Sequence, residues 1–122
     1  MIRAWLIVAA IGGFLSVAAG AAAAHLPAGE RGAELLRTGA LYGIVHAAAL
    51  IAVTAMAQSP ERLRLALTVA GWGFAAGMLL FSLSLFALAL TGREWLGLIT
   101  PFGGAGLLVG WAALAFDGSS RR

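Results

Sequence analysis

Four long stretches without a charged side chain alternate with short polar segments along this chain. The apolar runs cover 4–24, 38–57, 65–90 and 95–116. The charges sit at Arg3, within 30–37, within 61–64, at Arg93 and Glu94, and from Asp117 onward. A helix crosses the hydrocarbon core of a bilayer with about 20 apolar residues, so each run is long enough to span. The third run would extend about 39 Å as a helix, which predicts a tilted or protruding span. Solid runs of Ala, Leu, Val and Gly lack the alternation of a barrel strand, and an unpaired backbone is not tolerated in lipid. The pattern therefore predicts an all-α integral membrane bundle of four transmembrane helices, a single domain over 1–122.

The connectors carry local signals. Pro27, between His25 and Gly29, breaks the first helix, and 30–37 reads as a short amphipathic turn leading into the second. Ser59 and Pro60 form a cap and an opening residue for the third helix. Thr100 and Pro101 do the same inside the fourth run, so 95–99 is expected to be a separate turn and the helix proper to start near Pro101.

Composition narrows the class. Hydrophobic residues make up 61% of the chain and charged ones 11%, with no Cys, whereas soluble domains carry about 25% charge. A soluble enzyme, a disordered chain and a disulfide scaffold are thereby excluded, and thiolate or iron–sulfur chemistry has no ligands. The net charge of +3 comes from scattered arginines that form no run, so there is no nucleic-acid footprint. Arg3, Arg62, Arg64, Arg121 and Arg122 fall on one side of a four-span topology. Arg31, Arg37 and Arg93 fall on the other, balanced by Glu30, Glu34 and Glu94. This bias predicts a multi-pass chain with both termini on the cytoplasmic side. Arg3, the first apolar run and alanines 21–24 also resemble a cleavable signal peptide. Cleavage would leave three spans, but the length and glycine content of that run favour a retained helix.

Candidate chemistry is sparse, because no Asp, Glu, Lys or Arg lies inside a span. His46 is the exception, expected about 12 Å below the outer surface. Ser16, Ser82 and Ser84 fall at similar depth, with Tyr42 one turn above His46 on the same face. This polar layer has two readings: a site in which His46 and Tyr42 meet a ligand, or hydrogen bonds that hold helices together, worth about 0.6–2 kcal/mol each. The second is the simpler. A lone His builds no metal site, and His25, with Thr100 and Pro101, belongs to the outer mouth. No cofactor and no catalytic group is expected. Small-residue stripes run through every span: Ser16 and Gly20, Gly39 and Gly43, Gly73 and Gly77, Gly106 and Gly110. Such spacing lets backbones approach where lipid supplies no hydrophobic drive. Trp5 and Trp95 are placed as interfacial anchors, with Trp72 and Trp111 deeper, filling gaps or facing lipid.

The combination of GAAAAHL at 20–26, TGALYGIVHA at 38–47, FSLSLFALALTG at 81–92, TPFGG at 100–104 and Gly110-Trp111 resembles the domain-of-unknown-function 423 family. That family includes YgdD-like inner-membrane proteins and transmembrane protein 256. The resemblance covers nearly the whole chain and implies four helices in the inner membrane, with no activity attached. The glycine stripes and missing extramembrane domain suggest a non-enzymatic protein that acts by helix–helix association, as a homo-oligomer or as an accessory subunit of a larger membrane complex. The alternative is a binder or transporter of a small apolar molecule or lipid that uses the polar layer around His46. The absence of a membrane-embedded Glu and of any Asn sets aside the small multidrug exporters and the fluoride channels.

Overall fold

The computed structural model describes residues 1–58 and 65–121. It contains α1 (Ile2–His25), α2 (Gly29–Met56), α3 (Leu65–Thr91), a 3-10 turn at Glu94–Leu98 and α4 (Thr100–Ser119). All four long helices are apolar and long enough to cross a membrane. Ser59 and Pro60, the expected cap and opening of α3, and Arg62, Arg64 and Arg122 of the charge count lie outside the described residues.

One expected boundary and one expected cap differ. The amphipathic stretch 30–37 is continuous with α2 rather than a separate turn, because Gly29 at φ 75° turns the chain before it and nothing interrupts the helix afterwards. Arg31, in the first turns of α2, reaches the 3-10 segment with a two-pronged ion pair to Glu94, at 2.8 and 3.1 Å. Both side chains are well exposed, so the pair orients the rim more than it stabilises it. Thr100 does not cap α4: no side-chain cap bond is present at that end. Its hydroxyl instead bonds Ser84 of α3 at 2.6 Å. The separate turn before α4 and the early position of Pro101 are as expected. Gly92, at φ 71°, closes α3 with its N–H on the Leu88 carbonyl at 2.9 Å, a left-handed helix stop.

In cross-section the helices follow in chain order. α2 packs between α1 and α3, α3 packs between α2 and α4, and α1 touches α3 only slightly. α4 therefore rests on α3. Two apolar clusters fill the interior. One, toward the termini, joins Trp5, Leu50, Val53, Leu67, Phe74 and Met78, and the other, toward the α1–α2 turn, joins Ala19, Ala23, Leu36 and Ala40. Between them lie Ser16, Gly43 and Ser82. The Ser82 hydroxyl donates to the Gly39 carbonyl at 2.8 Å, and the Ser16 oxygen rests directly on the α carbon side of Gly43.

The glycines explain the close approach of the helices. Gly73 and Gly77 of α3 face the backbone of Gly103, Gly106 and Gly110 in α4, with no room for a Cβ on either side. Gly39 instead receives the Phe86 ring and the Leu85 side chain, and Gly43 receives Ser16. Gly20 is not such a position, since a Cβ there would meet only Ala40 at an ordinary 3.8 Å. Trp5 is a correction: it is fully buried rather than interfacial. Its indole lies flat against Gly71 of α3, where the missing side chain leaves a slot, and meets Trp72 edge-on at 6.0 Å. Trp95, more than half exposed, remains where an anchor would be.

Candidate functional site

His46 is 4% exposed and faces protein. Because α2 begins at Gly29, the imidazole lies about 25 Å along the helix from that end and about 15 Å from Met56. The first turns of α2 carry Glu30, Arg31, Glu34 and Arg37, so within the apolar run 38–57 the imidazole lies about 12 Å from the outer end. Its two ring nitrogens are both engaged. Nδ1 lies 2.6 Å from the carbonyl oxygen of Tyr42, which can only accept, so Nδ1 carries the proton. Nε2 then accepts from the indole N–H of Trp111 at 2.9 Å. The ring is thus a neutral tautomer locked between its own helix and α4, bridging two helices that otherwise meet sparsely.

Aromatic rings surround it. Phe74 packs at 5.7 Å from the imidazole and at 4.9 Å from Trp111, and Tyr42 lies nearly parallel to it, 6.1 Å away with 5° between planes. Tyr42 in turn leans on Phe81 at 4.8 Å. These rings wall a groove of about 480 Å³ between α2 and α4, floored by α3 and completed by Pro101, Gly104, Ala105, Leu107 and Leu108. Ligand sites typically fall between about 300 and 1,000 Å³. The groove opens sideways, toward the lipid, because α4 leans on α3 and leaves α2 uncovered. Gly104 and Ala105 keep that opening wide.

Of the residues expected in one polar layer, only Tyr42 and His46 border this groove. Ser82 is used by the Gly39 carbonyl, and Ser16 makes no hydrogen bond among the described residues. Ser84 bonds Thr100 and borders a different, aliphatic groove. The layer is therefore dispersed over three helix contacts. Of the outer-mouth residues, Pro101 joins the groove, while His25 ends α1 in an exposed position. Trp111, expected to fill a gap or face lipid, is instead the partner of His46; its spacing from Gly110 and Leu107 is the signal for this, since these place it on the edge of the α3-facing stripe. Asp117 is a second such residue, fully buried and paired with Arg121 at 2.7 Å.

Trp111→Phe tests the locked imidazole. The substitution keeps an aromatic ring but leaves Nε2 of a buried histidine without its donor, at a cost of about 1–3 kcal/mol. Thermal unfolding in detergent should show this loss. Adding His46→Leu should recover part of it, because both polar partners are then gone.

Comparison with known proteins places the chain. The model of a family described as a protein of unknown function, DUF423, matches residues 19–104, which include Tyr42, His46, Phe81 and Pro101. The membrane protein YwdK of Bacillus subtilis (strain 168) is 35% identical over 112 residues, covering 89% of this chain and 90% of its own length. The inner membrane protein YgdD of Escherichia coli (strain K12) is 36% identical over 115 residues, covering 92% and 86%. A membrane protein of Haemophilus influenzae is 37% identical over 115 residues, covering 92% and 90%. No solved structure matches. A family model that runs from the end of α1 into α4, and relatives aligned along nearly their whole length, agree with four apolar helices: the chain is a multi-pass membrane protein of the DUF423 family, whose function is unknown.

Proposed function

We propose that this protein holds a small, largely apolar molecule drawn from the bilayer in the groove between α2 and α4. The observation that supports it is the groove itself: about 480 Å³, walled by Tyr42, Phe81, Trp111 and His46, and open laterally at the depth of the spans. Membrane-soluble molecules reach such a site without crossing water, and aromatic walls with a few polar atoms are the usual lining of a ligand pocket. This supports a non-enzymatic role. No nucleophile–base pair borders the groove, and His46 has no nitrogen left to transfer a proton without breaking a bond to Tyr42 or Trp111.

Association with further copies or with other membrane subunits was suggested by the glycine stripes. Those at 73, 77, 106 and 110 are spent inside the chain, α3 against α4, and those at 39 and 43 receive side chains of α3 and α1. A partner would have to dock on lipid-facing residues such as Phe14 or Phe102, which are about three-quarters exposed. The groove is therefore the better supported basis of function.

Ala105→Trp tests this. Ala105 is exposed on the groove wall, so an indole there fills the groove without entering a helix contact. Native mass spectrometry after gentle extraction should show a reproducible adduct on the wild-type chain that disappears in this variant, while its helical circular dichroism is unchanged. A wild-type chain that carries no adduct, or a variant that keeps it, would count against the proposal.

A further inference from the structure

We infer that the groove's ligand class is a membrane-borne quinone, a flat ring with carbonyl acceptors on a hydrocarbon tail, with the Tyr42 hydroxyl as its hydrogen-bond donor. The inference rests on the groove being a ligand site and adds what it selects. The first observation is the hydroxyl itself. Tyr42 lies in the apolar part of α2, about 8 Å along the helix from Arg37, the last charged side chain before the span. The ring is 44% exposed, and its hydroxyl has no partner among the described residues. Neither a neighbouring side chain nor an acyl chain supplies that phenol with an acceptor. A carbonyl in the groove satisfies it.

The second observation is internal to the surface of the same bundle. Two smaller grooves, of about 300 and 240 Å³, are lined mainly by aliphatic side chains such as Leu79, Leu83, Ile99 and Val69, with Ser84 on the wall of one and Phe116 on that of the other. Those are walls for acyl chains. The α2–α4 groove alone among these offers Tyr42, Phe81 and Trp111, whose faces and edges suit a planar ring through offset and edge-to-face contacts. His46 is a positioning residue here: its bonds to the Tyr42 carbonyl and the Trp111 indole hold both walls, and neither nitrogen is free for the ligand.

The test uses the full chain in nanodiscs of zwitterionic lipid with two probes, decyl-1,4-benzoquinone and 1-bromododecane, read by native mass spectrometry and by quenching of tryptophan emission. The expected result is saturable one-to-one quinone binding that 1-bromododecane does not displace. Tyr42→Phe should weaken that binding about threefold to tenfold, the size of one hydrogen bond. Because the hydroxyl has no protein partner, this variant should unfold at the wild-type temperature. Ala105→Trp should abolish quinone binding. Equal competition by 1-bromododecane, or an unchanged Tyr42→Phe affinity, would overturn the quinone assignment and leave the groove a binder of hydrocarbon chains. Failure of both probes to bind saturably would overturn the groove as a site altogether.

Discussion

Gly77→Leu is expected to release α4 from the bundle, and Gly77→Ala to cost about 2–3 kcal/mol. A Cβ at position 77 would lie 2.7 Å from the Leu107 amide nitrogen and 2.9 Å from the Gly103 carbonyl oxygen, and one at position 73 would lie 2.9 Å from the Gly106 oxygen. These are backbone atoms, which cannot swing aside, so the helices themselves must part. Dispersion falls steeply with a gap of even 0.5–1 Å, and a shift at one glycine spreads along the whole seam. In lipid no hydrophobic effect pushes the helices back together, and α4 has little beyond α3 to rest on. Gly20→Ala is the control: its Cβ would meet Ala40 at 3.8 Å. Alanine is also the better helix former, so the change should be under about 0.5 kcal/mol or stabilising. Thermal unfolding of the three variants in one detergent reads the contrast, and equal melting of Gly77→Ala and Gly20→Ala would show that the seam does not hold α4.

The four helices were legible because lipid admits few alternatives. Charges bound each span, and an apolar run of that length has only a helix to form. What the sequence did not carry was pairing. Glycine spacing marks Gly39 and Gly73 alike, yet Gly73 meets another glycine seam while Gly39 meets the Phe86 ring. Only the three-dimensional offset of the helices decides which. The same holds for Trp5. An indole near a helix end reads as an interfacial anchor, and the slot that buries it is made by Gly71, 66 residues away.

The candidate site shows the same division. His46 stood out as the lone ionisable group in a span, and its proximity to Tyr42 followed from helical spacing. Its partner did not. The sequence places Trp111 as a gap-filling or lipid-facing ring, and the bond to Nε2 depends on α4 crossing beside α2 at that level. The consequence for function is direct. A histidine with free nitrogens would be the reactive centre of the groove, whereas one with both nitrogens bonded is part of its frame, and the unpaired donor is the tyrosine one turn away.

The second large effect is expected at the end of α4, where Arg121→Leu should destabilise the protein by about 3 kcal/mol. Asp117 is fully buried, one carboxylate oxygen accepts from the Arg121 Nε at 2.7 Å, and the other has no partner among the described residues. Removing the arginine strands a charge that has no access to water, and breaking a buried pair in this way costs about 3–5 kcal/mol. The lower end applies because the arginine side chain keeps 23% of its surface exposed. That exposure also makes the converse change milder. In Asp117→Leu the guanidinium can extend to water on its own stem, so the loss should be about 1 kcal/mol. The double variant Asp117→Leu/Arg121→Leu should recover most of the stability, since apolar replacement of a whole buried pair is often neutral or favourable. The diagnostic is the ordering: Arg121→Leu least stable, the double variant near wild type, measured by thermal unfolding in detergent. Equal effects of the two single substitutions would mean that the carboxylate reaches water in the membrane-bound protein, and that the end of α4 is looser than its burial implies.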